Sequence, residues 1–291
     1  MRLESPVSVL DHWPADEPLV RIDGPALSAV VAPERGGKII SILDARGVEW
    51  MATPDREVGI AARSGDDFLS AEMAGWDECA PTIVACTVDQ VDLADHGELW
   101  TKPFTIDRAS VWVDDETLGY RFTRTIESTV EGLVLDYSVT AGAHDVPFLW
   151  AGHPQFRAPE GTRILLPTSV KTVVDVIDPE LPELSWSAYL GSIDTIETDG
   201  YRKVYVHPDE TVSSAVLLHP DGAALQLSWS SECRYLGLWY DKFAFRAEPI
   251  IAIEPSTAYF DSLATAIENG RVAIIAAGTT LQWSVTVTSL A

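Results

Sequence analysis

The segment ASVWVDDETLGYRFTRTIESTVEGLVLDYSVTAG, residues 109–142, decides the fold class of this chain. Apolar and polar residues alternate along three of its runs, 109–115, 118–128 and 133–142. Such alternation is typical of strands that bury one face and expose the other. Turn-forming residues such as Asp and Gly bound the runs. The segment therefore predicts three successive β-strands.

The same alternation continues through most of the chain. Further strands are predicted at 26–33, 38–45, 203–207, 215–219, 223–230, 235–240, 250–254, 271–276 and 281–288. Strands at intervals of roughly 8 to 14 residues, without alternating helices, favour a large antiparallel sandwich or barrel over a βαβ sheet. Because no linker rich in Gly, Ser or Pro divides the chain, the sequence predicts one all-β domain over residues 1–291.

Helical patterns are confined to two short segments. The first is SAEMAGWDE at 70–78, and the second is DSLATAIENG at 261–270. In the second segment Asp261 is expected to cap the N-terminus of the helix, and Gly270 is expected to end it.

The charge balance restricts the possible partners. The chain has 44 Asp and Glu against 20 Lys and Arg, which gives a net charge of −24. Nucleic acids and anionic membrane surfaces are repelled within a Debye length of about 8 Å at physiological salt. A neutral small molecule is not repelled. We therefore expect a small-molecule ligand and neither nucleic acid nor membrane as a partner, while the oligomeric state stays open.

Several features predict a cytoplasmic protein. The segment at 1–13 is interrupted by charges before an apolar stretch develops, so we expect no secretory signal. The longest apolar runs, such as 249–253 and 272–277, are far shorter than the ~20 residues that span a bilayer. The cysteines have no CxxC spacing, which argues against a disulfide framework. They are Cys79, Cys86 and Cys233, and we expect them to be reduced.

The sequence lacks the common motifs of nucleotide, serine-hydrolase and zinc chemistry. It contains no GxGxxG, P-loop, GxSxG, HExxH or paired Cys/His spacing. Chemistry without a cofactor or a metal is therefore the expectation.

Two polar motifs in the first third of the chain suit a hydroxyl-rich ligand. In GWDECAP at 75–81, the Trp76 ring offers an apolar stacking face and the Asp77 carboxylate offers two acceptor oxygens. The alternative is that Trp76 folds onto the core and the acids are solvated. In DHGELW at 95–100, His96 precedes Gly97, a residue that permits a bend or a close backbone approach.

Two further motifs supply an acid and a base. In LWAGHPQF at 149–156, His153 lies between Gly and Pro, so the chain is expected to leave its sheet there and to present the imidazole at a cleft. An imidazole with a pKa near 6.5 can give or take a proton at neutral pH. Glu254 lies in the apolar strand IIAIEPST at 250–257, where an unpaired carboxylate is costly and a functional role is common.

Taken in order, six motifs resemble the aldose 1-epimerase, or galactose mutarotase-like, family. These are GGKI at 36–39, GWDE at 75–78, DHGELW at 95–100, GHPQF at 152–156, IEPST at 253–257 and AGTTLQWSVTV at 277–287. The resemblance spans most of the chain and implies a large antiparallel β-sandwich, a supersandwich. It also implies interconversion of the α and β anomers of a free sugar without cofactor or metal.

The resemblance assigns roles to particular residues. It implies that Glu254 is the general base and His153 the general acid, on opposite sides of the acetal, and that His96 contacts the substrate. Trp76 and Asp77 are expected to line the same cleft. For the family's substrate-binding Arg and Asp, the candidates by position are Arg63, Arg56 and Asp241.

The sequence leaves other functions open. The residues around His153 differ from the family pattern, because Gly precedes it and Pro, Gln and Phe follow it. A carbohydrate-binding protein without catalysis is therefore one alternative. A hexose-phosphate epimerase is a second, although it would need a cluster of Arg or Lys. A glycosidase is a third, and it would need two carboxylates roughly 5 to 10 Å apart.

Overall fold

The computed structural model describes residues 12–55, 61–71, 73–108 and 110–290. The described strands, in chain order, are β1 (Val20–Ile22), β2 (Leu27–Ala32), β3 (Lys38–Asp44), β4 (Gly75–Cys79), β5 (Cys86–Val88), β6 (Val91–Leu93), β7 (Thr105–Asp107), β8 (Ser110–Asp115), β9 (Tyr120–Ser128), β10 (Gly132–Ala141), β11 (Val146–Phe148), β12 (Ala151–Arg157), β13 (Arg163–Leu165), β14 (Thr172–Asp175), β15 (Glu183–Ser185), β16 (Gly200–Val206), β17 (Ser214–Leu218), β18 (Ala224–Trp229), β19 (Tyr235–Lys242), β20 (Ile250–Ser256), β21 (Ala273–Ile275) and β22 (Thr280–Leu290). The α-helix among them is α1 (Leu263–Glu268).

Most of these strands form two large antiparallel sheets that pack as a sandwich. One sheet has ten strands in the order β1-β2-β3-β4-β12-β20-β19-β16-β14-β15. The other has eight strands in the order β13-β17-β18-β22-β10-β9-β8-β7. The expectation of an all-β antiparallel sandwich is thus confirmed, and the opening segment of sequence supplies β8, β9 and β10, paired in succession.

The two sheets differ in how their faces are covered. Along β10, Leu133, Leu135, Tyr137 and Val139 are buried while the residues between them reach solvent, as the alternation in sequence predicts. By contrast, all seven residues of β20 are buried. The ten-stranded sheet is therefore covered on both faces in its centre, with the main core on one side and the polar site on the other.

An ion pair lies inside the main core and joins the two sheets. Arg124 of β9 contacts Glu78 of β4 at 2.5 Å, and both side chains are fully buried. Trp150 and Tyr137 also donate hydrogen bonds to the Glu78 carboxylate, at 2.7 and 3.3 Å. Burial raises the pKa of Glu78, and Arg124 opposes that rise. Glu78 is therefore part of the core and not a solvated acid.

Both helix expectations need correction. The segment at 70–78 is not a helix, because Gly75–Cys79 forms β4 and pairs with β12. Residue 72 lies outside the described residues. At the second segment Ser262, not Asp261, caps α1 by accepting from the main-chain N–H of Thr265. Tertiary contacts of β4 and of the Asp261 carboxylate override these local signals.

The described residues contain no helix long and apolar enough to span a bilayer. The cysteines are free; Cys79 and Cys233 are buried, and Cys86 is half-buried.

Candidate active site

The centre of the ten-stranded sheet carries a row of polar side chains on the face opposite the main core. The register pairs His153 of β12 with Asp77 of β4, and side chains two residues apart on a strand share a face. On β20 the register places Glu254 beside His153, since Gln155 pairs with Ala252 and Ala151 with Ser256. Neighbouring strands thus bring three sequence-predicted residues together.

The sequence predicted that the chain leaves its sheet at His153, and this prediction is wrong. His153 lies inside β12, and the strand continues to Arg157. Pro154 follows it and has no N–H to donate to a ladder. The pairing of β12 with β20 passes directly from Ala151 to Gln155 on β12. The proline therefore interrupts the ladder beside His153 without ending the strand.

His153 and Glu254 form a close pair. The distance from His153 Nε2 to Glu254 Oε1 is 3.7 Å, with 8% of the His153 side chain and none of the Glu254 side chain exposed. Within the described part of the chain, His153 Nδ1 and Glu254 Oε1 have no hydrogen-bond partner. The two groups lie side by side on one sheet face.

Burial shifts the two pKa values toward each other. It lowers the pKa of His153 well below the usual 6.5, and the nearby His96, Lys203 and Lys38 lower it further. Burial also raises the pKa of Glu254, while Lys203 opposes that rise.

Lys203 of β16 is a site residue that sequence reasoning missed. Its Nζ lies 2.9 Å from Glu254 Oε2 and 2.9 Å from Asp261 Oδ1. Tyr205, on the same face of β16, donates a hydrogen bond to Asp261 Oδ1. Burial opposes the ammonium charge, but Asp261 and Glu254 outweigh it and raise the pKa of Lys203. The lysine therefore holds a positive charge against the Glu254 carboxylate.

Gly237 makes the contact between Lys203 and Glu254 possible. It lies on β19 between the two strands and pairs with Glu254 on one side and Tyr205 on the other. A Cβ at this position would lie 3.0 Å from the Tyr205 ring and 3.1 Å from Glu254 Oε2. The absence of a side chain therefore leaves room for Lys203 and Tyr205 to reach across β19.

His96 reaches the site from a loop. Its backbone has a φ of 59°, and Gly97 follows with a φ of 73°. A Cβ on Gly97 would lie 2.1 Å from the Ala80 carbonyl oxygen, so the close approach expected of this glycine is present. His96 Nδ1 contacts Asp95 Oδ2 at 2.7 Å. Its ring meets that of His153 edge-on, with centroids 5.5 Å apart.

Phe68 covers the two histidines. Its ring stacks on His96 with centroids 3.7 Å apart and an interplanar angle of 6°. It meets His153 edge-on at 5.7 Å. Only 2% of Phe68 is exposed. No motif in the sequence singled out this phenylalanine, since a single aromatic residue in a short 3-10 helix carries no local signal.

Trp76 takes a different position from the one expected, whereas Asp77 lies in the polar row beside His153. Asp77 is buried and pairs with Lys38 of β3 at 3.0 Å, and Lys38 also donates to the Ala74 carbonyl. Trp76 is fully buried on the opposite face of β4 and meets Phe156 edge-on in the core. This placement does not fit a sugar-stacking role, because the ring faces the main core and not the polar row.

Neither Arg63 nor Asp241, the two described candidates for a substrate-binding Arg and Asp, bonds to His153 or Glu254. Arg63 is exposed, and within the described residues no hydrogen bond or ion pair joins its side chain to His153 or Glu254. Arg56 lies outside the described residues. Asp241 accepts the main-chain N–H of Ala244 at 2.7 Å, so its carboxylate holds a loop.

The described residues contain no group of three or more His, Cys, Asp or Glu side chains placed to hold a metal ion.

The two antiparallel sheets and the polar row on one of them define an all-β sandwich with a site on a sheet face. Comparison with solved structures identifies the particular architecture as the galactose mutarotase-like fold. A protein of Synechocystis sp. superposes with a TM-score of 0.76 at 14% identity, over 95% of this chain and 96% of its own. No protein-family model matches the sequence, and no curated protein matches it.

Two further structures carry the fold in their names. A galactose mutarotase-like protein of Lactobacillus casei has a TM-score of 0.68 at 18% identity, over 94% of this chain and 100% of its own. A galactose mutarotase related enzyme of Lactobacillus acidophilus has a TM-score of 0.66 at 14% identity, over 94% and 98%. At these identities the likeness establishes the fold.

Proposed function

We propose that this protein is an aldose 1-epimerase, which interconverts the α and β anomers of a free sugar. The observation that carries the proposal is the distance of 3.7 Å between His153 Nε2 and Glu254 Oε1 on one sheet face. A carboxylate and an imidazole this close can serve both oxygens of one hemiacetal, because those oxygens are bonded to the same carbon.

The reaction is a pair of proton transfers. Glu254 removes the proton from the anomeric hydroxyl while His153 donates a proton to the ring oxygen. The bond from C1 to the ring oxygen breaks, and C1 becomes an aldehyde. After rotation about the C1–C2 bond, the hydroxyl formed from the ring oxygen attacks the other face of the aldehyde. Its proton returns to His153, and Glu254 returns its proton to the oxygen on C1. General acid and base steps of this kind contribute roughly 10²- to 10⁴-fold each.

The charges around the pair support these roles. The reaction begins from an ionised Glu254 and a protonated His153. Lys203 at 2.9 Å favours the Glu254 carboxylate despite its complete burial. Because burial lowers the pKa of His153 well below 6.5, the reaction draws on the protonated minority of that imidazole at neutral pH. His96, whose side chain is 18% exposed, lies between the pair and the solvent-facing Asp95 and can bind a sugar hydroxyl.

Binding of a carbohydrate without catalysis is a second candidate, and one observation favours it. Glu254 is fully buried and His153 is 6% exposed beneath Phe68. A sugar must displace this cover before either group can react. A phosphorylated sugar is less well supported, since Lys38 and Lys203 are each paired with carboxylates.

Polarimetry or NMR of freshly dissolved α-D-glucose and α-D-galactose tests the proposal. We expect the wild type to accelerate mutarotation of at least one sugar and the Glu254→Gln and His153→Ala variants to lose that acceleration. Glu127→Gln is the matched control, because Glu127 is exposed on β9 in the other sheet. Acceleration that persists in Glu254→Gln would refute the roles, and sugar binding without acceleration would favour the second candidate.

A further inference from the structure

Three aromatic rings form a cluster near the polar row. Tyr201 of β16 stacks on Trp239 of β19, with centroids 5.2 Å apart and an interplanar angle of 25°. Phe245 packs against both, at 5.1 Å from Tyr201 and 5.8 Å from Trp239. The cluster faces solvent, since Tyr201 is 44% exposed, Phe245 is 39% exposed and Trp239 is half-buried. We call these three residues the aromatic platform.

The register places the platform next to the reacting pair on the same sheet face. Trp239 pairs with Lys203 on one side and with Ala252 on the other. Glu254 lies two residues beyond Ala252 and therefore shares its face. Diagonal neighbours of this kind have Cα atoms about 7–8 Å apart. Trp239 of the platform is thus a diagonal neighbour of Glu254 on the adjacent strand.

The loop that carries Phe245 is held in place. Asp241 is fully buried and accepts main-chain N–H groups from Ala244 at 2.7 Å and from Phe245 at 3.3 Å. Arg246, also buried, donates to the Thr53 carbonyl oxygen and pairs with Asp55 at 3.2 Å. Because the rings are ordered in advance, a ligand meets little entropic cost there.

The size and the chemistry of the platform indicate its occupant. Aromatic side chains bury about 150–250 Å² each when fully covered, so three partly covered rings offer at most a few hundred Å². A stable protein interface needs about 800 Å² per partner. A sugar ring, with an apolar face of C–H groups and hydroxyls at its edge, matches the area and the adjoining polar row. The net charge of −24 favours a neutral saccharide.

We propose that the aromatic platform binds a second sugar unit, so that the ligand is a neutral reducing oligosaccharide. This inference rests on the proposed function, because it places the reducing-end ring at His153 and Glu254. The second sugar ring of the oligosaccharide then lies over Trp239 and Tyr201. A single sugar ring at the pair leaves the platform open, whereas a disaccharide covers both.

Titration calorimetry with maltose, cellobiose and lactose, compared with glucose and galactose, tests this inference. We expect at least one disaccharide to bind more tightly than its monosaccharides. Trp239→Ala and Tyr201→Ala should each weaken the binding of that disaccharide about tenfold. A tenfold change in affinity corresponds to the free energy of one aromatic contact. Tyr189→Ala is the control, since Tyr189 is 69% exposed and lies outside the platform. Trp239→Phe, which keeps a ring, should retain most of the affinity.

The outcomes separate this inference from the proposed function. If the platform variants weaken disaccharide binding while the wild type accelerates no mutarotation, the platform stands as a binding site and the epimerase proposal fails. If no disaccharide binds, or if both variants bind it as the wild type does, the inference is overturned. Sedimentation that reveals a dimer dissociated by Trp239→Ala would also overturn it, because a second copy would then cover the rings.

Discussion

Replacement of Lys203 by methionine removes the positive charge between the buried Glu254 carboxylate and the half-buried Asp261 carboxylate. Each contact of 2.9 Å, to Glu254 and to Asp261, represents about 6 kcal/mol of Coulomb attraction at an effective dielectric constant of about 20. Desolvation of the charges offsets part of this attraction. Loss of one partner of a buried pair costs about 3–5 kcal/mol, because the remaining charge stays buried without compensation. We expect Lys203→Met to lower the free energy of unfolding by that amount at pH 8.

The loss should depend on pH with a definite sign. The pKa of Glu254 is already raised in the folded protein, and removal of Lys203 raises it further. The folded variant therefore binds more protons than the unfolded chain above pH 4.5, the usual pKa of Glu. When the folded state binds more protons than the unfolded state, the free energy of unfolding falls as pH rises. The difference between wild type and Lys203→Met should grow from pH 5 to pH 8.

Urea unfolding at several pH values measures this difference. The double variant Lys203→Met with Glu254→Gln should recover part of the loss, since the amide needs no counter-charge. Lys242→Met is the control, because the Lys242 ammonium bonds the main-chain oxygen of Ile196 at 3.0 Å and should give a pH-independent effect. An equal loss at pH 5 and pH 8, undiminished by Glu254→Gln, would refute the reasoning.

Three more outcomes follow from the geometry. Arg124→Met should lower the free energy of unfolding by about 3–5 kcal/mol in urea titrations, because Glu78 is left buried without its partner; a loss below 1 kcal/mol would contradict this. Gly237→Ala should abolish accelerated mutarotation, since its Cβ would lie 3.1 Å from Glu254 Oε2, and wild-type rates would refute that expectation. The pH profile of kcat/KM should be a bell with its maximum below pH 6.5, because burial lowers the pKa of His153 and raises that of Glu254; a maximum above pH 8 would contradict it.

Periodicity in the sequence was enough to predict the fold class. Alternation along β10 follows directly from one face meeting the core and the other meeting water, so the residues carry the pattern themselves. Where both faces are buried the pattern vanishes, as in β4, whose five residues are all buried. The segment containing β4 therefore resembled a helix, and only its pairing with β3 and β12 made it a strand.

The candidate acid and base could be found in the sequence, but their partners could not. Glu254 stood out because a carboxylate interrupts an apolar run, and His153 because it lies between glycine and proline. Lys203 lies in an ordinary strand pattern, 51 positions before Glu254, and no local signal joins them. The order of the strands, with Gly237 between them, makes the contact.

The sequence by itself therefore determined the all-β class, the strands with alternating burial and the two residues proposed to react, since each of these depends on local composition. The tertiary structure alone decided that Trp76 belongs to the core, that Asp77 pairs with Lys38 and that Asp261 holds Lys203 and does not cap a helix. These outcomes depend on which strands become neighbours and in what register. A shift of one residue in the register of β3 or β4 would send the Lys38, Trp76 and Asp77 side chains to the opposite face.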